Sequence, residues 1–354
     1  RPESEYLRVL IAAKNPVAID RLVIKEAGDG SSVFSEAGLD AKLLQRYGAR
    51  PVRAVDNLIA VDVPLPQAKA FGTALAEQGV ASRPARIFQL AADAIRRGPK
   101  WPDPLYSVLP FRTPADDPEV SPQNAASKDI LKAGALHAKG MDGAGSVGAI
   151  VDSGLDTSHP DFENRIAAYL DLTDTGTKDF VGHGTHVAGS IGGSGAASGG
   201  KFAGMAPKTK FVIIKVFGSE GSASEDTILA AMKAAKSLPK EIRPQVMNLS
   251  LGGPGDPETD PLSALANEMM VKDNIIMAVA AGNSGPGKKT IGAPGNARYV
   301  LTVTGTNKAG KFPFFPSRGP VTTSKGQTYN KPDISTISGD VSATQRLRFW
   351  FRKV

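Results

Sequence analysis

Apolar and polar positions divide the chain into two differently patterned parts. Tyr6–Ala13 (YLRVLIAA) is a short apolar run that predicts a strand. Glu36–Tyr47 carries apolar residues at helical spacing and stops at Gly48, which predicts a helix with a glycine past its end. Val52–Val63 reads as two strands turning at Asp56-Asn57. Pro66–Gln78 predicts a second helix, with proline near its first turn, and Val80–Leu90 a last strand. The order βαββαβ is that of a small ferredoxin-like α+β domain over residues 1–90. It holds no catalytic constellation, which leaves it a folding or inhibitory module.

Residues 91–125 break the pattern. Prolines at 99, 102, 104, 110, 114, 118 and 122 punctuate a polar stretch, which predicts a linker and a domain boundary. From about residue 126, apolar strands alternate with helices. Helices are expected at Ser127–Ala138, Thr185–Ile191, Ser224–Ser237 and Pro261–Lys272. Strands are expected at Ser146–Val151, Lys210–Phe217, Gln245–Leu249, Ile275–Ala280 and Tyr299–Thr304. This alternation predicts a parallel α/β sheet with helices on both faces. Functional residues of such sheets gather at the carboxyl ends of strands. Asp152, Ser250–Gly253 and Asn283 each fall just past a predicted strand, so three separate candidates share one edge.

Composition narrows the partners. The 354 residues contain no cysteine, which excludes disulfides and thiolate metal sites and leaves the compartment undecided. The formal charge is +7, but Arg346, Arg348, Arg352 and Lys353 crowd the last nine residues, and without them it is +3. Net charge therefore gives no argument for a nucleic-acid partner. No apolar run is long enough for a membrane span. Gly143-x-Gly145-x-x-Gly148 precedes its strand instead of following one, so it fails as a dinucleotide fingerprint. Gly195-x-x-x-x-Gly200-Lys201 lacks the Ser or Thr of a phosphate loop. His183 and His186 could share a helix face, but no Glu follows in the manner of a zinc peptidase.

Four motifs in order are more specific than any of these. They are Asp152 in DSGLDTSHPDF, His183 in HGTHVAG, NLSLGG at 248–253 and AAGNSG at 280–285. FPSRGP at 315–320 and KPDIS at 331–335 add to them. Over residues 126–343 the chain resembles the subtilisin-like serine proteases. The resemblance implies that His183 is general base and then general acid, and that Asp152 holds its imidazole. Asn283 would donate to the tetrahedral oxyanion. Ser250, Leu251, Gly252 and Gly253 would bind a polypeptide substrate as an added strand, with Ala280, Ala281 and Gly282 lining the specificity pocket. Residues 1–90 would be a propeptide, chaperone and inhibitor, bound to its own protease in cis. No cofactor is required for the chemistry. A structural calcium at Asp161, partnered by Ser194–Phe202, is the one metal the resemblance suggests. Secretion is expected on the same ground.

The pattern breaks at one place. The family's nucleophile lies in a Gly-Thr-Ser-Met-Ala segment after KPDIS, and no Gly-Thr-Ser occurs in these 354 residues. Ser338 and Ser342 lack that context. The tail Thr344–Val354, with Phe349-Trp350-Phe351 among four cations, departs in composition and reads as the product of truncation or a shifted frame. The expectation is an inactive or C-terminally incomplete zymogen of a serine endopeptidase. The alternative is a non-catalytic, peptide-binding remnant.

Overall fold

A computed structural model describes residues 5–15, 27–55, 57–90, 123–307 and 309–337. The chain forms two compact units, residues 1–87 with 223–234, and residues 88–222 with 235–354. Most of the expected linker and all of the 344–354 tail lie outside the described residues.

The first unit contains β1 (Tyr6–Ala12), β2 (Arg50–Val55), β3 (Leu58–Pro64) and β4 (Ser82–Pro84) in a sheet of order β2-β3-β1-β4. Every neighbour is antiparallel, as in a ferredoxin-like sheet. Helices at Lys42–Tyr47 and Ala68–Glu77 supply Leu43, Phe71 and Leu75 to a core with Val9, Ile11, Ile59 and Val61. Two expectations need correction. The helix expected over 36–47 is two helices, Ala27–Glu36 and Lys42–Tyr47. Between them Gly38 turns left-handed and the Asp40 carboxylate takes the Lys42 N–H, which restarts the helix. The strand expected over 80–90 divides at Ala85-Arg86 into β4 and β5 (Ile87–Leu90). A helix, Glu225–Lys236, lends its first turns to this unit. There Arg53 and Arg8 each pair with the buried Asp226 at 3.1 Å, and Arg83 and Arg86 both pair with the buried Glu225.

The second unit is built on seven strands. They are β6 (Val147–Asp152), β7 (Ile166–Asp171), β8 (Lys210–Lys215), β10 (Val246–Leu249), β12 (Ile276–Ala280), β13 (Leu301–Thr306) and β16 (Ile334–Ile337). Their order is β16-β13-β12-β10-β6-β8-β7, and every pairing is parallel. The parallel sheet expected from the alternating pattern is thus present. Short strands β9 (Ser222–Ser224), β11 (Leu251–Gly252), β14 (Val321–Thr322) and β15 (Thr328–Tyr329) lie outside it. From β6 the chain first goes to the edge strand β7, returns to β8 beside β6, then crosses to the other flank at β10. The strand order therefore reverses beside β6, and a crevice at the carboxyl ends of β6 and β10 is where such sheets bind ligands. The helix His183–Gly192 packs Ala188 against Ile150, Phe211 and Ile213 of the sheet. The helix expected over 127–138 is broken at Lys132, whose φ is 55°, into Gln123–Ile130 and Ala133–His137. No described helix is long and apolar enough to cross a membrane.

Candidate active site

Asp152 ends β6, an interior strand between β10 and β8, and is 1% exposed. His183 opens the following helix and faces it. Imidazole Nδ1 lies 2.8 Å from Asp152 Oδ1 and 2.9 Å from Oδ2. An ionised carboxylate only accepts, so Nδ1 carries the proton and Nε2 is left with a lone pair. The carboxylate is held in turn by the Ser153 N–H at 2.7 Å. Close approach of strand turn and helix depends on Gly184. A Cβ there would collide with the Gly154 carbonyl oxygen and crowd Asp152. Glycine after the histidine is therefore a steric requirement of the pair.

The helix start is fixed by a residue that sequence reasoning missed. Asp179, also 1% exposed, accepts five hydrogen bonds. Its Oδ1 takes Ser153 Oγ–H (2.9 Å), Val181 N–H (3.2 Å) and Gly182 N–H (2.7 Å). Its Oδ2 takes Thr185 N–H (3.0 Å) and Thr185 Oγ–H (2.6 Å). A carboxylate at a helix N-terminus satisfies orphan N–H groups and complements the dipole. Here it also ties the Asp152 turn to the His183 helix through Ser153, whose hydroxyl accepts the Gly184 N–H at 2.9 Å. The available signal was an acidic residue four positions before the helix.

The loop bearing Asp179 is anchored from the sheet. Lys215, fully buried at the end of β8, donates Nζ to the carbonyls of Gly176 (2.8 Å) and Lys178 (2.6 Å). Tyr169 of β7 donates its hydroxyl to the intervening Thr177 carbonyl at 2.7 Å. Burial pushes the Lys215 ammonium below its usual pKa, against the opposing pull of Asp171 and Asp179. Burial likewise raises the Tyr169 phenol to about 12.

His183, Ser250, Ala280, Ala281, Gly282 and Asn283 line one cavity of about 330 Å3 with Asn248, Thr304, Phe315 and Thr336. Six of the expected site residues thus meet around one space, and Asp152 stands behind His183. The Asn283 turn is pinned by the buried Ser317, whose hydroxyl accepts the Ser284 N–H at 2.9 Å. Leu251 and Gly252 form β11, which pairs antiparallel with Leu90 and Gln89 of β5. Gly253 is locked to Ala293 by two backbone hydrogen bonds of 3.0 and 2.9 Å.

Asp161 is not among the cavity residues. Its carboxylate takes the Ala197 N–H at 3.0 Å. The Arg165 guanidinium nearby reaches Gly192 O (2.5 Å), Thr209 O (3.1 Å) and Asp161 O. Among the described residues, no three His, Asp or Glu side chains group as a metal site.

Fold and site together define a parallel α/β protein with a buried carboxylate–imidazole pair at its ligand edge, an arrangement suited to moving a proton on and off a nucleophile. Residues 143–348, more than half of the chain, match the subtilase family of peptidases, and the chain belongs to it. It is 32% identical over 232 residues to serine protease AprX of Bacillus subtilis (strain 168), covering 61% of this chain and 50% of AprX. It is 38% identical over 166 residues to the major intracellular serine protease of the same strain, covering 45% of this chain and 49% of that one. With the subtilisin of Bacillus pumilus it shares 34% over 192 residues, 53% of this chain and 66% of the subtilisin. The chain spans about half the length of the first two relatives.

Proposed function

We propose that the chain carries the Asp–His half and the substrate groove of a subtilisin-type serine endopeptidase. The observation that carries this is the His183–Asp152 pair, bonded through both carboxylate oxygens and opening on a cavity that Asn283 also lines. His183 Nε2 would take the proton of a serine hydroxyl as it attacks a peptide carbonyl, then deliver it to the leaving amine. Asp152 would hold the tautomer and stabilise the imidazolium. The Asn283 amide would stabilise the oxyanion, a term worth about 2.7–4 kcal/mol where one such donor has been removed from a subtilisin.

The 354 residues supply no Gly-Thr-Ser nucleophile. In a subtilisin, loss of the serine alone costs about 2 × 10⁶ in kcat, or about 8–9 kcal/mol of barrier. On this reading residues 1–354 are catalytically silent by themselves, as in an incomplete zymogen. Residues 1–90 are its propeptide, and secretion belongs to the same reading. The second reading, a peptide-binding remnant, is favoured by the strand pairing of Gln89 and Leu90 with β11, which needs no chemistry. The test exposes the purified 354-residue chain to a fluorogenic peptide and a serine-directed phosphonate. No hydrolysis and no labelling are expected. Hydrolysis at protease-like rates with stoichiometric labelling would show that another residue is the nucleophile.

A further inference from the structure

A parallel sheet ordinarily buries both of its faces, and this one does so only in part. β6 is buried at every position but Gly148. In β10 and β12 burial alternates instead. Met247, Leu249, Met277 and Val279 are buried, while Val246 and Ile276 are 38% and 48% exposed. The register brings the open side chains together. Val246 is opposite Ile276, Ala278 is opposite Leu301, and Val303 lies between Ala280 and Ile334, which is 45% exposed. Asn248 is opposite Ile150 and shares its face, the one against which the His183 helix packs Ala188. The face that this helix covers over β6 is thus open over β10, β12, β13 and β16.

The floor of the open face is made of small side chains. Ala278, Ala280 and Gly305 also line the His183 cavity, so the face continues into that space. Such a floor leaves room for large rings laid on it. The chain's own sequence supplies them. Leu347, Phe349 and Phe351 alternate with Arg346, Arg348 and Arg352, the pattern of an extended segment with one apolar side. The point of attachment is close. β16 is the strand at the edge of the open face and ends at Ile337. Leu347 is ten residues further on, a reach of up to about 33 Å, against about 14 Å across the face from β16 to β10. A tethered segment meets the face at an effective concentration on the order of millimolar.

We propose that the tail Thr344–Val354 folds back over the open face of β10, β12, β13 and β16 as an intramolecular cover, with Leu347, Phe349 and Phe351 turned onto the sheet and the arginines turned to water. This cover hides an apolar face of the second unit and does not rest on the peptidase reading.

The reporter is a single tryptophan, Phe349→Trp in a chain carrying Trp101→Phe and Trp350→Phe, which removes the two native ones. Its emission should be blue-shifted relative to the same chain in urea, and acrylamide should quench it less. Ile276→Ser with Ile334→Ser, two substitutions at exposed positions, should abolish that shielding. Deleting residues 344–354 should raise the fluorescence of ANS, a dye that reports exposed apolar surface. Position is read with cysteines, of which the chain has none. Ile276→Cys and Phe349→Cys should join through a short bismaleimide within one chain, while the exposed Lys201→Cys should not join Phe349→Cys. If the double serine variant does not fold, the crosslink and the deletion decide. A reporter as accessible in the folded chain as in urea, shielding that survives the serine pair, or ANS fluorescence unchanged by the deletion would overturn the proposal. A crosslink joining two chains, or shielding lost on dilution, would overturn it too, by making the face an interface between copies.

Discussion

Replacing Asp179 by alanine is the sharpest test of how His183 is held. The carboxylate accepts five hydrogen bonds while 1% exposed, among them those of the Gly182 and Thr185 N–H groups at the helix start. Each bond to an ionised group contributes about 1.5–3 kcal/mol when removed singly. The five are not additive, because water reaches the helix end once the carboxylate is gone. Loss of one partner from a buried charged cluster costs about 3–5 kcal/mol, and we expect that range. For a unit of this size it corresponds to a fall in Tm of about 6–20 °C. Denaturant unfolding gives the energy, and 15N-detected NMR of the imidazole reports whether Nδ1 still carries the proton. We expect a mixed tautomer in Asp179→Ala, because the helix start is no longer tied to the Asp152 turn through Ser153. A loss below about 1 kcal/mol with an unchanged imidazole spectrum would refute the reasoning.

Three further expectations concern the scaffold. Arg165→Ala removes three hydrogen bonds to carbonyls, of which Asp161 O keeps the Ser194 N–H, and should cost about 2–4 kcal/mol by denaturant unfolding. Asp226→Ala removes the carboxylate that pairs with the buried Arg53 and should destabilise the first unit by about 3–5 kcal/mol, read by thermal unfolding. Lys215 has a lowered folded-state pKa, so the unfolded chain binds the extra proton between that value and the ordinary 10.5. Its contribution to stability should therefore rise with pH across that window, and Lys215→Met should flatten the rise in urea titrations.

Much of this architecture was legible because strong local signals agreed. Ala149-Ile150-Val151 is buried on both faces of the sheet and reads as a continuous apolar run, so β6 and its terminal Asp152 were plain. Of the six expected cavity residues, Ser250 and Ala280–Asn283 were legible because they end or follow strands on one edge, and His183 because its motif stands out at a helix start. Elements with weak burial were not. In β7 every residue is half-buried, and β16 has two exposed residues followed by two half-buried ones, so neither carries alternation. The helix Ala27–Glu36 is rich in Gly and Ser, and its buried Val33 and Phe34 make too short a stripe to read as a helix. Asp179 was missed for a different reason. Its role is to join two segments, the Ser153 turn and the helix start at 181–185, and no spacing in the chain expresses the bond to Ser153.

The central claim is that His183 and Asp152 are a working acid–base pair awaiting a serine. The direct measurement grafts a Gly-Thr-Ser-Met-Ala segment and a following small-residue helix after residue 343, and follows peptide hydrolysis with and without His183→Ala. The graft should hydrolyse peptide and bind a serine-directed phosphonate, and His183→Ala should lower kcat by about 10⁶. A folded graft that reacts equally with and without His183 would contradict the claim.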